Sequence, residues 1–142
     1  VGTLALTPND FPVMRQKFET ALLQATDANA VSVDVDFMLA GGIQQALVAA
    51  NRPDLVVAGG ECGIENLDYI RAGGGQQMCI GSSLGHISYA AMDSLNRYFA
   101  GEGQVVQGLG WQLVDAERNL PPQGQDFDGP VDYVSAYKAI WN

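Results

Sequence analysis

The stretch Gly81-Ser82-Ser83-Leu84-Gly85 fits the pattern G-x-S-x-G, which can place a nucleophilic serine on a tight turn between a strand and a helix. Such a serine needs a histidine to take its proton, and in α/β-hydrolases this histidine comes much later in the chain. The only histidine of this sequence is His86, three residues after Ser83. A serine hydrolase is therefore less favoured than a turn in which Ser83 caps the following helix.

Other motifs that could bind a phosphate group or a metal ion are incomplete. The glycine pairs and the glycine triplet match neither G-x-G-x-x-G nor the Gly-Lys-Ser/Thr of a phosphate loop. Asp126 and Asp128 resemble the start of a calcium loop, but its later ligands and closing glutamate are missing. Cys62, Cys79 and one histidine lack the number and spacing of a zinc site. We predict no catalytic residue, metal or cofactor.

A set of polar and aromatic side chains suggests a different chemistry. Carboxylates and amides form paired hydrogen bonds with hydroxyl groups, and an aromatic ring packs against the apolar face of a sugar. The set contains Asn9, Asp10, Phe11, Asp36, Phe37, Glu61, Ser82 and Ser83. These residues could bind a polyol, or they could cap helices and line loops without any ligand.

Hydrophobic periodicity predicts the elements that would position this set. We expect strands at 1–7, 31–36, 54–60 and 76–82, with a possible fifth at 110–116. The helices are expected at 11–25, from Gly41 to Asn51, from Ile64 to the glycines at 73–75, from about 84 to Gly101 with Leu95, Tyr98 and Phe99 facing inward, and at 131–141.

Alternating strands and helices predict an α/β fold with right-handed crossovers. The expected architecture has three layers, with a mostly parallel sheet of four to five strands, helices on both faces and a flavodoxin-like organisation. The length of 142 residues suits one domain, covering 1–142. Ligands of such sheets bind beyond the carboxyl ends of the strands, where the polar set falls.

Composition narrows the function classes. Hydrophobic residues make up 47% of the chain and charged residues 16%, which is typical of a globular protein. The net charge of -9 argues against nucleic acid as a partner. No apolar run is long enough to span a bilayer, and no signal peptide is visible. Cys62 and Cys79 could pair in an oxidising compartment or lie buried as separate apolar side chains.

Two stretches, 59–83 and 85–103, resemble the C-terminal lobe of type I periplasmic substrate-binding proteins of sugar transporters. That group also includes ribose-binding proteins and the effector domains of lactose-repressor-like proteins. The resemblance is carried by a helix that ends I-x-x-G, a helix of the form G-Y-x-A-x-D-x-L-x-R-x-x-x-G, and a D-Y…Y/F…L-W ending. The matching residues are Ile70-Arg71-Ala72-Gly73, then Tyr89, Ala91, Asp93, Leu95, Arg97 and Gly101, and finally Asp132-Tyr133, Tyr137 and Ile140-Trp141.

The resemblance implies a solute-binding lobe of an ABC-type sugar importer, which forms half of a ligand cleft and performs no catalysis. It implies an N-terminal lobe that is absent from this chain, a membrane permease as partner, and a periplasmic or extracellular location. Glu61 would grip sugar hydroxyls, and Ser82 or Ser83 would follow the next strand. Asn9 to Phe11, and Asp36 with Phe37, would occupy the first two strand-end loops.

The same resemblance leaves two questions open. The helix at 85–100 often belongs to the other lobe in that family, so here it must pack against this sheet, pair with a second copy in a homodimer, or expose its apolar stripe. An effector-binding sensory domain of a receptor or repressor would share the fold and the cleft.

Overall fold

Strands and helices alternate through residues 1–141, which are the residues that the computed structural model describes. A 3-10 helix at Pro8–Val13 leads into the first α-helix. The elements then follow as α1 (Met14–Gln24), β1 (Ala30–Ser32), α2 (Asp36–Met38), a π-helical turn (Leu39–Ile43), α3 (Gln44–Ala50), β2 (Val56–Gly59), α4 (Ile64–Ala72), β3 (Met78–Gly81), α5 (Leu84–Ala100), β4 (Gln112–Asp115) and α6 (Tyr133–Ile140).

One four-stranded sheet in the order β1-β2-β3-β4 organises these elements. The pairs β1/β2 and β2/β3 are parallel, and β4 runs antiparallel to β3. This confirms the predicted α/β class with a mostly parallel sheet flanked by helices. Because the first three strands are parallel, their carboxyl ends meet at one side of the sheet. We call the segments that follow these ends, 33–37, 60–63 and 82–83, the carboxyl edge.

The two faces of the sheet are covered unequally. On one face, Val57 packs with buried side chains of α1 to α3, while Cys79 and Val114 pack with those of α4. On the other face, Val56 and Ile80 remain nearly half exposed. With the order β1-β2-β3, right-handed crossovers place the intervening helices on the same side of the sheet, which explains the difference.

The predicted strand at 1–7 is wrong, because this segment contains no regular secondary structure. Its apolar side chains are mostly exposed, and only Leu6 touches the core, from the edge. An apolar segment becomes a strand only where a neighbouring strand can exchange hydrogen bonds with it. Here β1 is an edge strand that pairs with β2 on one side, and residues 1–7 do not pair with its free side.

The boundary between β1 and the next helix differs from the prediction. The strand ends at Ser32, and helical structure begins at Asp36 instead of Gly41. A carboxylate in the first turn stabilises the positive end of a helix, which favours a start at Asp36. Gly42, at φ +131°, lies within the π-helical turn, and a Cβ atom there would come within 2.9 Å of Cβ of Arg15 on α1. The glycine therefore allows α1 to pack closely.

Helix α5 ends at Gly101 as predicted, but its outer stripe is not buried. Ala90 packs with Tyr133 and Tyr137 of the α6 region. Tyr98 and Phe99 are 75% and 80% exposed, so the prediction that they face inward is wrong. Helix α6 covers one side of α5, and α1 to α4 occupy the covered face of the sheet. Within residues 1–141, no helix is both long and apolar enough to cross a membrane.

A disulfide between Cys62 and Cys79 joins the loop after β2 to strand β3. The two residues are 2% and 0% exposed, and their Cα atoms are 5.5 Å apart. The structure therefore decides between the two states that the sequence left open. The bond fixes the carboxyl edge at its centre.

Reducing the disulfide should destabilise the fold. Closing a segment of 17 residues stabilises a protein by about 3 kcal/mol, chiefly by restricting the unfolded chain. Urea unfolding with and without a reductant should show a loss of that size. The double variant Cys62→Ala/Cys79→Ala should be insensitive to the reductant. Equal stability of the oxidised and reduced wild type would contradict this expectation.

Candidate functional site

The loop after β2 presents Glu61 on a strained turn at the carboxyl edge. The backbone N–H of Cys62 donates to the carbonyl oxygen of Gly60 at 2.6 Å, which closes a three-residue turn centred on Glu61. Glu61 and Cys62 have φ of +54° and +63°, in the left-handed region that side chains other than glycine seldom adopt. Glu61 itself is exposed. Strained backbone of this kind is concentrated at functional sites.

Asp36 lies behind this turn and is only 3% exposed. Its Oδ2 accepts the backbone N–H of Gly63 at 3.1 Å, and its backbone carbonyl accepts the Asn66 amide at 3.2 Å. The same amide donates to Gln76 Oε1 at 2.9 Å. Asp36 Oδ1 is buried without a hydrogen-bond partner. Asp36 is therefore a buried carboxylate in contact with the segment after β2.

Burial raises the pKa of Asp36 to about 6, and the negative charge of Glu61 also raises it. The backbone N–H groups of Gly63 and Cys62 act in the opposite direction, because they favour the charged form. Desolvation is the larger effect. The carboxyl group thus changes its charge close to neutral pH.

Phe11 and Phe37 form a stacked aromatic pair beside this region. Their ring centroids are 5.8 Å apart with an interplanar angle of 4°, and both rings are partly exposed. Gly41 makes room for the pair, since a Cβ atom there would lie 2.9 Å from the Phe11 ring. The structure therefore brings together two aromatic residues that the sequence predicted for different loops.

Asn9 and Asp10 lie in the 3-10 helix, not in a loop that follows a strand. Asp10 accepts hydrogen bonds from Thr7 and forms an ion pair with Lys17 at 2.6 Å. The Lys17 hydrogen bond lowers the pKa of Asp10 to about 2. This carboxylate is engaged within its own segment, whereas Asn9 is exposed.

Ser82 and Ser83 follow β3 and are both buried. The Ser83 hydroxyl donates to Asp128 at 2.6 Å and accepts the backbone N–H of His86 at 2.9 Å, so Ser83 is the N-cap of α5. Tyr133 donates to the same Asp128 carboxylate at 2.9 Å. The ring of His86 stacks on Tyr133, with centroids 5.0 Å apart. Both hydrogen bonds of the Ser83 hydroxyl therefore serve packing and capping.

Sequence reasoning did not find Asp128 and Tyr133 as partners of Ser83. Asp128 is 45 residues from Ser83, in a polar loop whose recognisable sequence pattern is the spacing of Asp126 and Asp128. No local pattern links this loop to the start of α5. In residues 1–141, no group of three or more His, Cys, Asp or Glu side chains is arranged to hold a metal ion.

Two surface clefts lie away from the predicted set. One, of about 360 Å³, lies between α5 and α6 and is lined by His86, Arg97, Val106 and Ile140 among others. The other, of about 300 Å³, lies beside β4 and includes Gln112, Phe127 and Asp128. None of the eight predicted residues lines either cleft. Glu61, Phe11 and Phe37 are all exposed.

Removing the Ser83 hydroxyl should lower stability by about 1 kcal/mol, because the substitution Ser83→Ala removes a helix cap. Ser88→Ala is the matched control, since the exposed Ser88 hydroxyl of the same helix only donates back to the Leu84 carbonyl at 2.8 Å. Chemical unfolding of both variants measures the difference. Equal losses in the two variants would contradict a capping role for Ser83.

The charge of Asp36 should make stability depend on pH. Between the ordinary pKa of 3.8 and about 6, the folded protein retains a proton that the unfolded chain has released. The free energy of unfolding therefore falls as pH rises through this range, by roughly 2 kcal/mol after allowance for screening by water. Asp36→Asn should gain stability over the wild type by that amount at neutral pH and by little at pH below 3.8. Urea unfolding at several pH values tests this, and a difference independent of pH would contradict it.

Comparison with known proteins identifies a fold but no family. No protein-family model and no curated protein matches the sequence. The structure is similar to the crystal structure of an ABC sugar transporter subunit from Rhodobacter sphaeroides 2.4.1, with a TM-score of 0.63 and 20% sequence identity over 80% of this chain. The matched region covers 42% of that subunit, so this chain spans less than half its length. The chain therefore has the fold of the matched part of that subunit.

Proposed function

We propose that this chain is a solute-binding lobe of a sugar-import system, and that it acts by binding a small polar solute without chemical conversion. The observation that carries the proposal is the exposed Glu61 carboxylate on a strained turn at the carboxyl edge. Asp36 contacts this turn through Gly63, and Phe37 follows Asp36 directly. A carboxylate beside exposed aromatic rings suits a sugar, because it binds hydroxyl groups while a ring covers the apolar face.

The exposure of Glu61, Phe11 and Phe37 supports a half-site. A binding site that holds a solute tightly encloses most of its surface. Here the carboxyl edge supplies one wall, and a second lobe would supply the other. The similar ABC sugar transporter subunit is more than twice as long as the region matched by this chain, which is compatible with a second lobe.

The uncovered apolar surface around α5 supports the same proposal. Beyond Leu95, Tyr98 and Phe99, the segment after α5 also exposes large apolar side chains. These are Val105, Val106, Leu109 and Trp111. Exposed apolar groups of this number mark an interaction surface. We propose that the second lobe packs here, and that hinge closure of the two lobes would signal occupancy to a membrane permease.

The disulfide supports a location outside the cytoplasm. Disulfides persist in oxidising compartments such as the periplasm and the extracellular space. The Cys62–Cys79 bond lies next to Glu61, so the segment that carries the proposed site also carries the disulfide that indicates an oxidising compartment. A periplasmic or extracellular position is also where a solute would meet an importer.

The Glu61 carboxylate should decide whether a sugar binds. Titration of the ¹⁵N-labelled chain with D-ribose, D-xylose, D-glucose and D-galactose should shift the amide resonances of Gly60, Gly63 and Phe37. Affinity should be weak, since one lobe lacks half of the enclosing contacts. Glu61→Gln should weaken binding about tenfold, because an ionised acceptor forms the stronger hydrogen bonds.

Glu117→Gln is the control for this experiment. Glu117 is an exposed glutamate in the turn after β4, and that turn lies at the opposite end of the sheet because Asp115 pairs with the first residue of β3. Its substitution should leave the titration unchanged. Equal binding by the Glu61 variant, or shifts confined to the cleft between α5 and α6, would refute the proposed site.

A further inference from the structure

The turn at 60–63 needs an interaction that keeps it in its strained conformation. Two successive residues other than glycine have positive φ, at +54° and +63°. Each such residue lies above its relaxed energy, so a free loop would leave this conformation. Gly60 also approaches the Asp34 carbonyl so closely that a Cβ atom would lie 2.2 Å from that oxygen. The surrounding structure therefore determines the turn.

Asp36 is placed to hold the turn from behind. Its Oδ2 accepts the Gly63 N–H at 3.1 Å, and the carboxyl group is nearly inaccessible to solvent. Asn66 anchors the Asp36 backbone and joins it to Gln76. A bond from an amide to an ionised carboxylate is stronger than one to a neutral oxygen. The disulfide fixes the other end of the same segment through Cys62.

We propose that Asp36 is the positioning residue for Glu61: its ionised carboxylate holds the Gly63 amide, and thereby the turn that presents the Glu61 carboxylate to a solute. The part that concerns the solute rests on the proposed function. The part that concerns the turn does not depend on any ligand. Asp36 does not contact the solute in this proposal.

The surroundings of Asp36 make its charge responsive to pH. Glu61 is the charged side chain that faces it from the loop after β2, and it opposes ionisation. The other groups packed against it are uncharged: Gly59 of β2, Asn66 of α4 and Gln76 before β3. Asp34, on the same segment as Asp36, is exposed. Acidification should therefore neutralise Asp36 and weaken its contact with the Gly63 amide, although the fold as a whole gains stability when the buried charge is lost.

An NMR titration without any ligand tests the holding contact. In the oxidised wild-type chain, the Gly63 amide proton should move downfield with an inflection near pH 6 as Asp36 ionises. In Asp36→Asn this inflection should be absent, and the Gly63 amide, which exchanges through local opening of the turn and not through global unfolding, should exchange with solvent about tenfold faster at neutral pH. Asp34→Asn, which neutralises the exposed carboxylate two residues earlier, should behave as the wild type.

Both the wild type and Asp36→Asn can give a result that overturns the proposal. A Gly63 resonance of the wild type that shows no inflection near pH 6 overturns it, even if Asp36→Asn does not fold. If the variant folds, an unchanged Gly63 exchange rate also overturns it. An inflection that persists in Asp36→Asn would assign the titration to another group, with the same consequence.

A double-mutant cycle with a sugar connects the turn to binding. D-ribose, D-xylose, D-glucose and D-galactose again serve as the probes. Asp36→Asn should weaken binding about fivefold to tenfold at neutral pH, while adding it to Glu61→Gln should cause little further loss. Additive losses in the double variant would overturn positioning through Glu61. If Glu61→Gln has no effect on any sugar while the Gly63 titration follows Asp36, the proposed function fails and the holding of the turn stands.

Discussion

The parallel register of β1, β2 and β3 is the constraint on which the rest of the structure depends. It places the loops after all three strands at one edge, where Gly59 of β2 pairs with Cys79 of β3. The disulfide imposes the same constraint with a covalent bond, since it joins Cys79 of β3 to Cys62, three residues after the end of β2. A slip of one residue would turn Val57 and Cys79 out of the core and separate Asp36 from the turn that it contacts. The register of the parallel strands and the geometry of the turn after β2 are therefore coupled.

Short sequence patterns predicted the helices and strands that are specified by neighbouring residues. The helices α4 and α5 end at glycines, and the two strands before them are apolar runs, so their positions follow from short stretches of sequence. The segment 1–7 and the outer stripe of α5 are apolar as well, yet neither is buried as predicted. Whether an apolar stretch finds a partner depends on chain that lies elsewhere, and periodicity carries no information about it.

The candidate site shows the same difference between what local sequence predicts and what distant contacts determine. The alternation of strands and helices predicted a parallel sheet, and the structure places Asp36 and Glu61 after two neighbouring parallel strands. The partners of the candidate residues are distant in sequence: 27 residues separate Asp36 from Gly63, and 45 separate Ser83 from Asp128. Asp10 was expected to face a ligand, but its charge is matched by Lys17, seven residues later. Residue type suggests the chemistry, and only tertiary partners decide which groups remain available for it.

The positive φ at position 61 has a consequence for how this segment can evolve. Glycine adopts such a backbone angle without steric penalty, so Glu61→Gly would relieve strain and raise the melting temperature. Laboratory selection for heat resistance alone should therefore drift toward glycine at this position. Retention of glutamate under selection in the cell, against that thermodynamic bias, would be the signature of a residue kept for what it does and not for what it stabilises.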